Sequence, residues 1–284
     1  LRRERLRLEE AESERVCPED GQLASKSTGP NSAMSPGKDQ KGASPRGVLG
    51  YWADIRGIVE PIRYMLEYAA VPYEYKTYPW LDKPTPLESK AVWLQEKKAL
   101  AAQGFPFPNL PYLVDGETKV VQSLAIMRYL ARKHGLVVPD SKPAEAARVD
   151  MLESQLNELR WSLIYHCWED YFESVKWNFA EALPGQVEQL SRALGDRRWL
   201  AGDTITHVDF MLYELLDQFS LFKPGCLDKH DNLKAYVERF RQLEPIKAYL
   251  SSDRFQPWPV FLPLATRWGS GKPPASIASK LAKA

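Results

Sequence analysis

The sequence predicts an α/β domain followed by an all-helical domain, and three observations carry that reading. Strand-like and helix-like patterns alternate from Val48 to His134. Beyond a polar, proline-bearing stretch at 136–143 the strand signals fade and helical periodicity takes over. None of the 9 Trp, 13 Tyr and 10 Phe residues lies before Tyr51, so the part of the chain able to build a core begins at residue 48.

Val48 to Trp52 reads as a short buried strand, and Ile58, Ile62, Met65 and Leu66 follow at helical spacing. Tyr73 to Tyr78 alternates as a half-buried strand does. A helical stretch runs from Trp93 to Leu100. Pro111 to Val114 and Lys119 to Val121 form a hairpin closed by Asp115-Gly116. Ser123 to His134 is strongly periodic, and Gly135 stops it. The order β-α-β-α-β-β-α is that of a thioredoxin-like α/β unit. In the second domain Ala144–Trp161, Val187–Leu194, Thr206–Phe222 and Leu233–Phe240 carry helical periodicity. Thr206-His207-Val208-Asp209 is a capping box, with Ile205 and Phe210 placed as a hydrophobic staple. Residues 1–47 are rich in Ser, Gly, Pro and charge and read as a disordered or artefactual extension; residues 271–284 read as a loose tail. The domains are thus 48–135 and 144–270, joined by a linker at 136–143.

Composition narrows the function classes. Lys and Arg number 38 against 37 Asp and Glu, so no global field attracts nucleic acid or an anionic membrane. No apolar run approaches the roughly 20 residues a membrane helix requires. Cys17, Cys167 and Cys226 are too scattered for a disulfide framework, which fits a reducing, cytoplasmic setting. His134, His166, His207 and His230 offer no metal-ligand spacing, and no metal or cofactor is expected.

Seven motifs in register then point to one family. They are Leu49-Gly50-Tyr51-Trp52, Asp54-Ile55-Arg56-Gly57, Trp93-Leu94-Gln95-Glu96-Lys97, the run from Phe107 to Tyr112, Gln122-Ser123, the run from Arg128 to His134, and the Thr206–Asp209 box. Together they resemble a cytosolic glutathione transferase, most closely of the mu class, over roughly residues 48–270. Such an enzyme must present a thiolate near neutral pH, whereas a free thiol has a pKa of about 8.5. A phenol donating a hydrogen bond to sulfur favours the anion, and Tyr51, at the C-terminal end of the first strand, is placed to do this.

The resemblance also implies how glutathione, the co-substrate, is held. Pro111 is cis, Leu110 pairs its main chain with the cysteinyl part, and Asn109 holds the same segment and the ligand. Gln122 and Ser123 take the γ-glutamyl carboxylate at a helix start; Ser123 reads as an N-cap too, and the two roles are compatible. Trp93 and Lys97, four apart on one helix face, contact the glycyl end, with Trp52 and Lys90 assisting. Glu158 of the partner subunit meets the γ-glutamyl ammonium, although an exposed helical glutamate fits that position equally. Phe107 docks into the neighbouring subunit of a homodimer and Arg128 stacks at that interface. Trp52, Ile58, Trp161, Trp168 and Phe261 line an apolar pocket for small hydrophobic electrophiles.

The chain departs from the mu pattern at an extra Ala53, and by about two residues in 79–92 and three in 98–106. Ala53 is either absorbed as a bulge or rotates Trp52 and loosens the site. Two readings follow: an enzyme conjugating glutathione to hydrophobic electrophiles, or a weakly active carrier of hydrophobic ligands on the same fold. A structural relative such as a lens crystallin is disfavoured, since its helical domain would carry a long insertion that is not seen. A glutaredoxin role is disfavoured by the absence of any cysteine between residues 48 and 135.

Overall fold

The computed structural model describes residues 47–139, 141–168 and 179–281, so the sequence readings for residues 1–46 lie outside the described residues. Strand β1 (Gly47–Trp52) leads through a 3-10 turn (Gly57–Val59) into α1 (Glu60–Tyr68) and back to β2 (Tyr73–Tyr78). Two helices follow, α2 (Pro86–Ser89) and α3 (Ala91–Ala102). The hairpin β3 (Tyr112–Asp115) and β4 (Thr118–Val121) and helix α4 (Ser123–Lys133) complete the α/β domain. Strand order is β2-β1-β3-β4. β1 and β2 are parallel, with Tyr51 opposite Thr77, while β3 runs antiparallel to both β1 and β4. This is the mixed sheet the alternating pattern predicts.

The helical domain begins with α5 (Pro143–Cys167), continues with α6 (Phe179–Leu194), α7 (His207–Phe222), α8 (Asp231–Arg241) and α9 (Glu244–Leu250), and ends with α10 (Ala275–Leu281). Three differences from the sequence reading have local causes. Pro184 and Gly185 concealed the first half of α6, which runs through them. Helix α9 is too short for periodicity to show, and it is opened by Pro245 in its first turn and held by buried Ile246 and Tyr249. The tail expected to be loose forms α10, because Ile277 finds a place in the core at 5% exposure.

Helix α7 is the centre of the molecule. It packs against α5 and α8 in its own domain and against α1 and α4 of the α/β domain. The capping box is present: the Thr206 amide donates to Asp209 Oδ2 at 2.8 Å. Asp209 Oδ1 also accepts from the Leu200 amide at 2.7 Å and from Tyr236 at 3.0 Å, so one buried carboxylate fastens three segments. Ile205 and Phe210, the staple pair, are both buried.

The two domains are joined by charge as well as by apolar packing. Arg56, between β1 and α1, is 1% exposed and reaches into α7: Nη2 lies 2.7 Å from Glu214 Oε2 and Nη1 2.7 Å from Asp217 Oδ2. Tyr64 donates to the same Glu214 oxygen at 3.1 Å, and Arg241 of α8 pairs with Asp217 at 2.6 Å. Burial pushes the Glu214 carboxyl up to about 7 against the pull of Arg56. Removing one partner of such a pair strands the other. Arg56→Met should therefore cost about 3 kcal/mol in urea denaturation at pH 8. The loss should be smaller at pH 5, because Glu214, raised to about 7, already carries its proton in the intact protein there, and removing Arg56 strands no Glu214 charge. An equal loss at both pH values would count against this account.

Candidate active site

Tyr51 sits at the end of β1, 5% exposed, and its hydroxyl accepts a hydrogen bond from the Ile58 amide at 3.1 Å. No acceptor among the described residues takes the phenol's own hydrogen, which leaves it free to be donated. Burial pushes the Tyr51 pKa up to about 12; the Ile58 amide and the positive charge of Arg160 pull the other way. At neutral pH Tyr51 is a protonated donor.

The loop facing Tyr51 is set by backbone constraints. Gly57 has φ +56°, and a Cβ there would lie 2.4 Å from the Tyr51 hydroxyl oxygen. The Arg56 and Gly57 amides donate to the carbonyls of Pro259 and Val260 at 2.9 and 2.7 Å, so the C-terminal segment clamps the loop. The extra Ala53 is absorbed: its amide donates to Tyr78 O at 2.8 Å, prolonging the strand pairing, and Asp54 turns the chain with φ +55°.

Arg160 of α5 was not singled out from sequence. It is 8% exposed, and its Nη2 donates to Asn157 Oδ1 at 2.6 Å and to Ser123 Oγ at 3.4 Å. Its Nε and Nη1 are buried with no hydrogen-bond partner among the described residues, and burial lowers its pKa to about 10. A signal existed: Arg160 falls on the buried stripe of Leu156, Leu159, Leu163 and Ile164, where a charge is out of place.

The glutathione-binding candidates gather around the sheet's end. The Leu110–Pro111 bond is cis, and Asn109 Oδ1 accepts from the Leu110 amide at 2.9 Å, so Asn109 holds that segment. Gln122, rather than Ser123, occupies the cap position of α4, with φ +73° and no side-chain cap. Ser123 is the first helical residue and is buried. An uncapped helix start, with Arg160 beside it, is suited to an anion. Trp93 is buried edge-on against Tyr78 at 5.3 Å; Lys97 and Lys90 are half-buried. Glu158 is exposed on α5.

The pocket candidates divide. Ile58 and Phe261 line one cavity with Gly57, Arg160, Ile164 and Met211, of about 10 Å³, room for one water. Phe261 is placed by Gly269, whose carbonyl accepts from the Val260 and Phe261 amides at 2.7 and 2.9 Å. Trp52, Trp161 and Trp168 are not on that lining. Trp52 packs against Trp80 and Trp93 at 5.5 and 6.4 Å, and Trp161 stacks on Tyr165 at 5.4 Å. Trp168 caps α5, beside residues outside the described set. Phe107 is 73% exposed, while Arg128 is engaged within the chain by Glu153, which also meets His207 Nε2 at 2.9 Å. Among the described residues no group of three or more His, Cys, Asp or Glu is placed to hold a metal, and no helix is long and apolar enough to cross a membrane.

Gly57→Ala tests the loop. A left-handed position costs a non-glycine residue roughly 1–2 kcal/mol, and the methyl must also displace the Tyr51 ring. Stability in urea should fall by about that amount, and kcat/KM by about tenfold or more; unchanged turnover would show that the Gly57–Tyr51 contact is dispensable.

Comparison with known proteins agrees with this geometry. Residues 47–132 match the family described as "Glutathione S-transferase, N-terminal domain", and residues 161–253 match "Glutathione S-transferase, C-terminal domain". The chain is 48% identical over 221 residues to Glutathione S-transferase Mu 1 of Oryctolagus cuniculus, covering 78% of this chain and 98% of that one. It is 45% identical over 222 residues to Glutathione S-transferase Mu 2 of Homo sapiens, with the same coverage. Among solved structures, the glutathione S-transferase Blo t 8 superimposes with a TM-score of 0.64 at 32% identity, covering 78% of this chain and 99% of that one. With its two domains both matched and mu-class relatives 45–48% identical over nearly their whole length, the chain belongs to the glutathione S-transferase family, in the mu class.

Proposed function

We propose that this transferase joins the sulfur of glutathione to small hydrophobic electrophiles, with Tyr51 stabilising the thiolate. The observation that carries the reading is the state of Tyr51: a buried phenol held protonated, accepting from the Ile58 amide and free to donate. Donation to sulfur favours the anion, so the thiol proton leaves at a lower pH. The thiolate then attacks the electrophilic carbon and the leaving group departs, with no covalent enzyme intermediate. The γ-glutamyl carboxylate fits the uncapped start of α4 at Gln122 and Ser123, and the Arg160 charge lies between that anion and Tyr51. The Leu110 main chain, Asn109, Trp52, Trp93, Lys97 and Lys90 are assigned to the rest of the tripeptide. Ile58 and Phe261, with Trp161 and Trp168, are assigned to the electrophile, for which Met211 and Phe261 must shift to widen the cavity.

The same reading makes the protein a cytoplasmic homodimer acting in detoxification without a metal or bound cofactor. Phe107, exposed at 73%, is its docking aromatic, and Glu158 serves the neighbouring site. The carrier reading loses one of its supports, since Ala53 is taken up in a turn and leaves Tyr51 in register.

Two experiments test this. Tyr51→Phe should lower kcat/KM for aryl-halide conjugation by about 10- to 1000-fold. It should also move the rising limb of the pH profile upward, toward the free-thiol value near 8.5, because the variant loses the donor that favours the anion. Wild type should show no falling limb up to pH 9, since Tyr51 keeps its proton and Arg160 its charge there. A limb that stays put in the variant would remove Tyr51 from thiolate stabilisation. Phe107→Ser should weaken self-association at least tenfold in sedimentation equilibrium; an unchanged constant would exclude it as the dimer key.

A further inference from the structure

A second cavity, of about 360 Å³, shares no lining residue with the first. Its volume falls in the range of small-molecule sites. Tyr73, Tyr75 and Thr77, alternate residues of the edge strand β2, present one face to it. Arg63 of α1 forms a wall, and Asp54, Asp253 and Gln256 line it from the turn after β1 and from the C-terminal segment.

The charges there are unevenly spent. Arg63, 3% exposed, donates to Glu60 at 3.3 Å and to the Arg254 carbonyl, and its guanidinium lies 4.5 Å from the Tyr75 ring centroid and 5.1 Å from that of Tyr249. Arg254 is clamped by both oxygens of Glu67, which also accepts from Tyr73 at 3.0 Å. Both cations of the groove are therefore already paired. Asp54 and Asp253 are exposed and have no cationic partner among the described residues. At the floor, Arg63 Nε and the Tyr75 hydroxyl are buried with no hydrogen-bond partner among the described residues. Unpartnered buried polar atoms of this kind call for an explanation, and a bound acceptor is one.

We propose that this groove is a second small-molecule site, apart from the glutathione cleft, that takes an organic cation: a protonated amine on an aromatic body carrying one hydrogen-bonding group. The amine meets Asp54 and Asp253, the ring lies against Tyr73 and Ile55, and the polar group faces the floor at Tyr75 and Arg63.

Three probes of one shape separate the possibilities: tyramine (cation), tyrosol (neutral) and 4-hydroxyphenylacetate (anion). Each is titrated calorimetrically into the full chain with the cleft filled by S-hexylglutathione. Tyramine should saturate one site per chain and bind about tenfold tighter than tyrosol, with the anion weaker still. Asp54→Asn and Asp253→Asn should each weaken tyramine about three- to tenfold with thermal midpoints unchanged, since both side chains are exposed. No saturable heat from tyramine, equal affinity for the three probes, displacement by S-hexylglutathione, or full affinity in the double variant would each overturn the proposal. Should S-hexylglutathione itself fail to bind, the cleft assignment falls while the tyramine result still decides this one.

Discussion

Arg56 is an ion with almost no access to water, and the arrangement of the two domains rests on its compensation. Moving such a charge out of solvent costs several kcal/mol even after relaxation, which only close and well-formed partners offset. Those partners are Glu214 and Asp217, both on α7 of the other domain, with Tyr64 completing the shell. The guanidinium can therefore be satisfied only when the α/β domain sits on α7 in one orientation. The same residue's main chain, with that of Gly57, is tied to the carbonyls of Pro259 and Val260. Side chain and backbone together leave the loop no freedom, and that loop delivers the Ile58 amide to Tyr51. Domain packing and the environment of the phenol are one constraint seen from two ends.

Dehydration acts on the site in two directions at once. It disfavours the charged form of every group it covers, raising the phenol of Tyr51 to about 12 and lowering the guanidinium of Arg160 to about 10. The shift at Tyr51 corresponds to about 3 kcal/mol in favour of its protonated form, after the Ile58 amide and Arg160 have worked against it. Burial wins, yet at neutral pH both groups remain in the state that welcomes an anion: a neutral donor and a cation. A phenol that ionised near 7 could not donate to a thiolate. The competition among burial, amide and arginine is thus settled on the useful side by a wide margin.

Most of the fold was legible because it is written in local patterns. The alternation of β2 and the Thr206–Asp209 box each depend on a few neighbouring residues and appear where their patterns placed them; the hairpin also forms, but its turn falls one residue later, at Gly116-Glu117, because Asp115 pairs with Thr118 as part of β3. Short or punctuated elements were not legible: α9 spans too little sequence for a period, and Pro184 hides the start of α6. Of the candidate site, the cis Leu110-Pro111 bond and the helix start at Gln122-Ser123 were legible where a motif carries them, with the cap at Gln122 and not Ser123. Arg160 and the partners of Arg56 were not, because their roles exist only after distant segments meet. Glu214 in the apolar run from Phe210 to Leu216 and Arg160 on a buried stripe were nonetheless visible as charges at core positions. Such misplaced charges mark where sequence alone should expect a buried network.

Residues 122 and 123 show how function and stability trade at this site. Gln122 bears a left-handed φ of +73°, worth roughly 1–3 kcal/mol of strain, and leaves α4 without the side-chain cap that usually contributes about 1 kcal/mol. Arg160, buried with two unpartnered nitrogens, adds a cation beside the same helix start. Each feature costs the folded chain something, and two of the costs, the missing cap and the unpartnered arginine nitrogens, share one remedy. A carboxylate at the first turn of α4 accepts from the free amides, answers the helix dipole and meets the arginine's charge. On the proposed assignment, a ligand carboxylate bound there would also stabilise the fold by mass action.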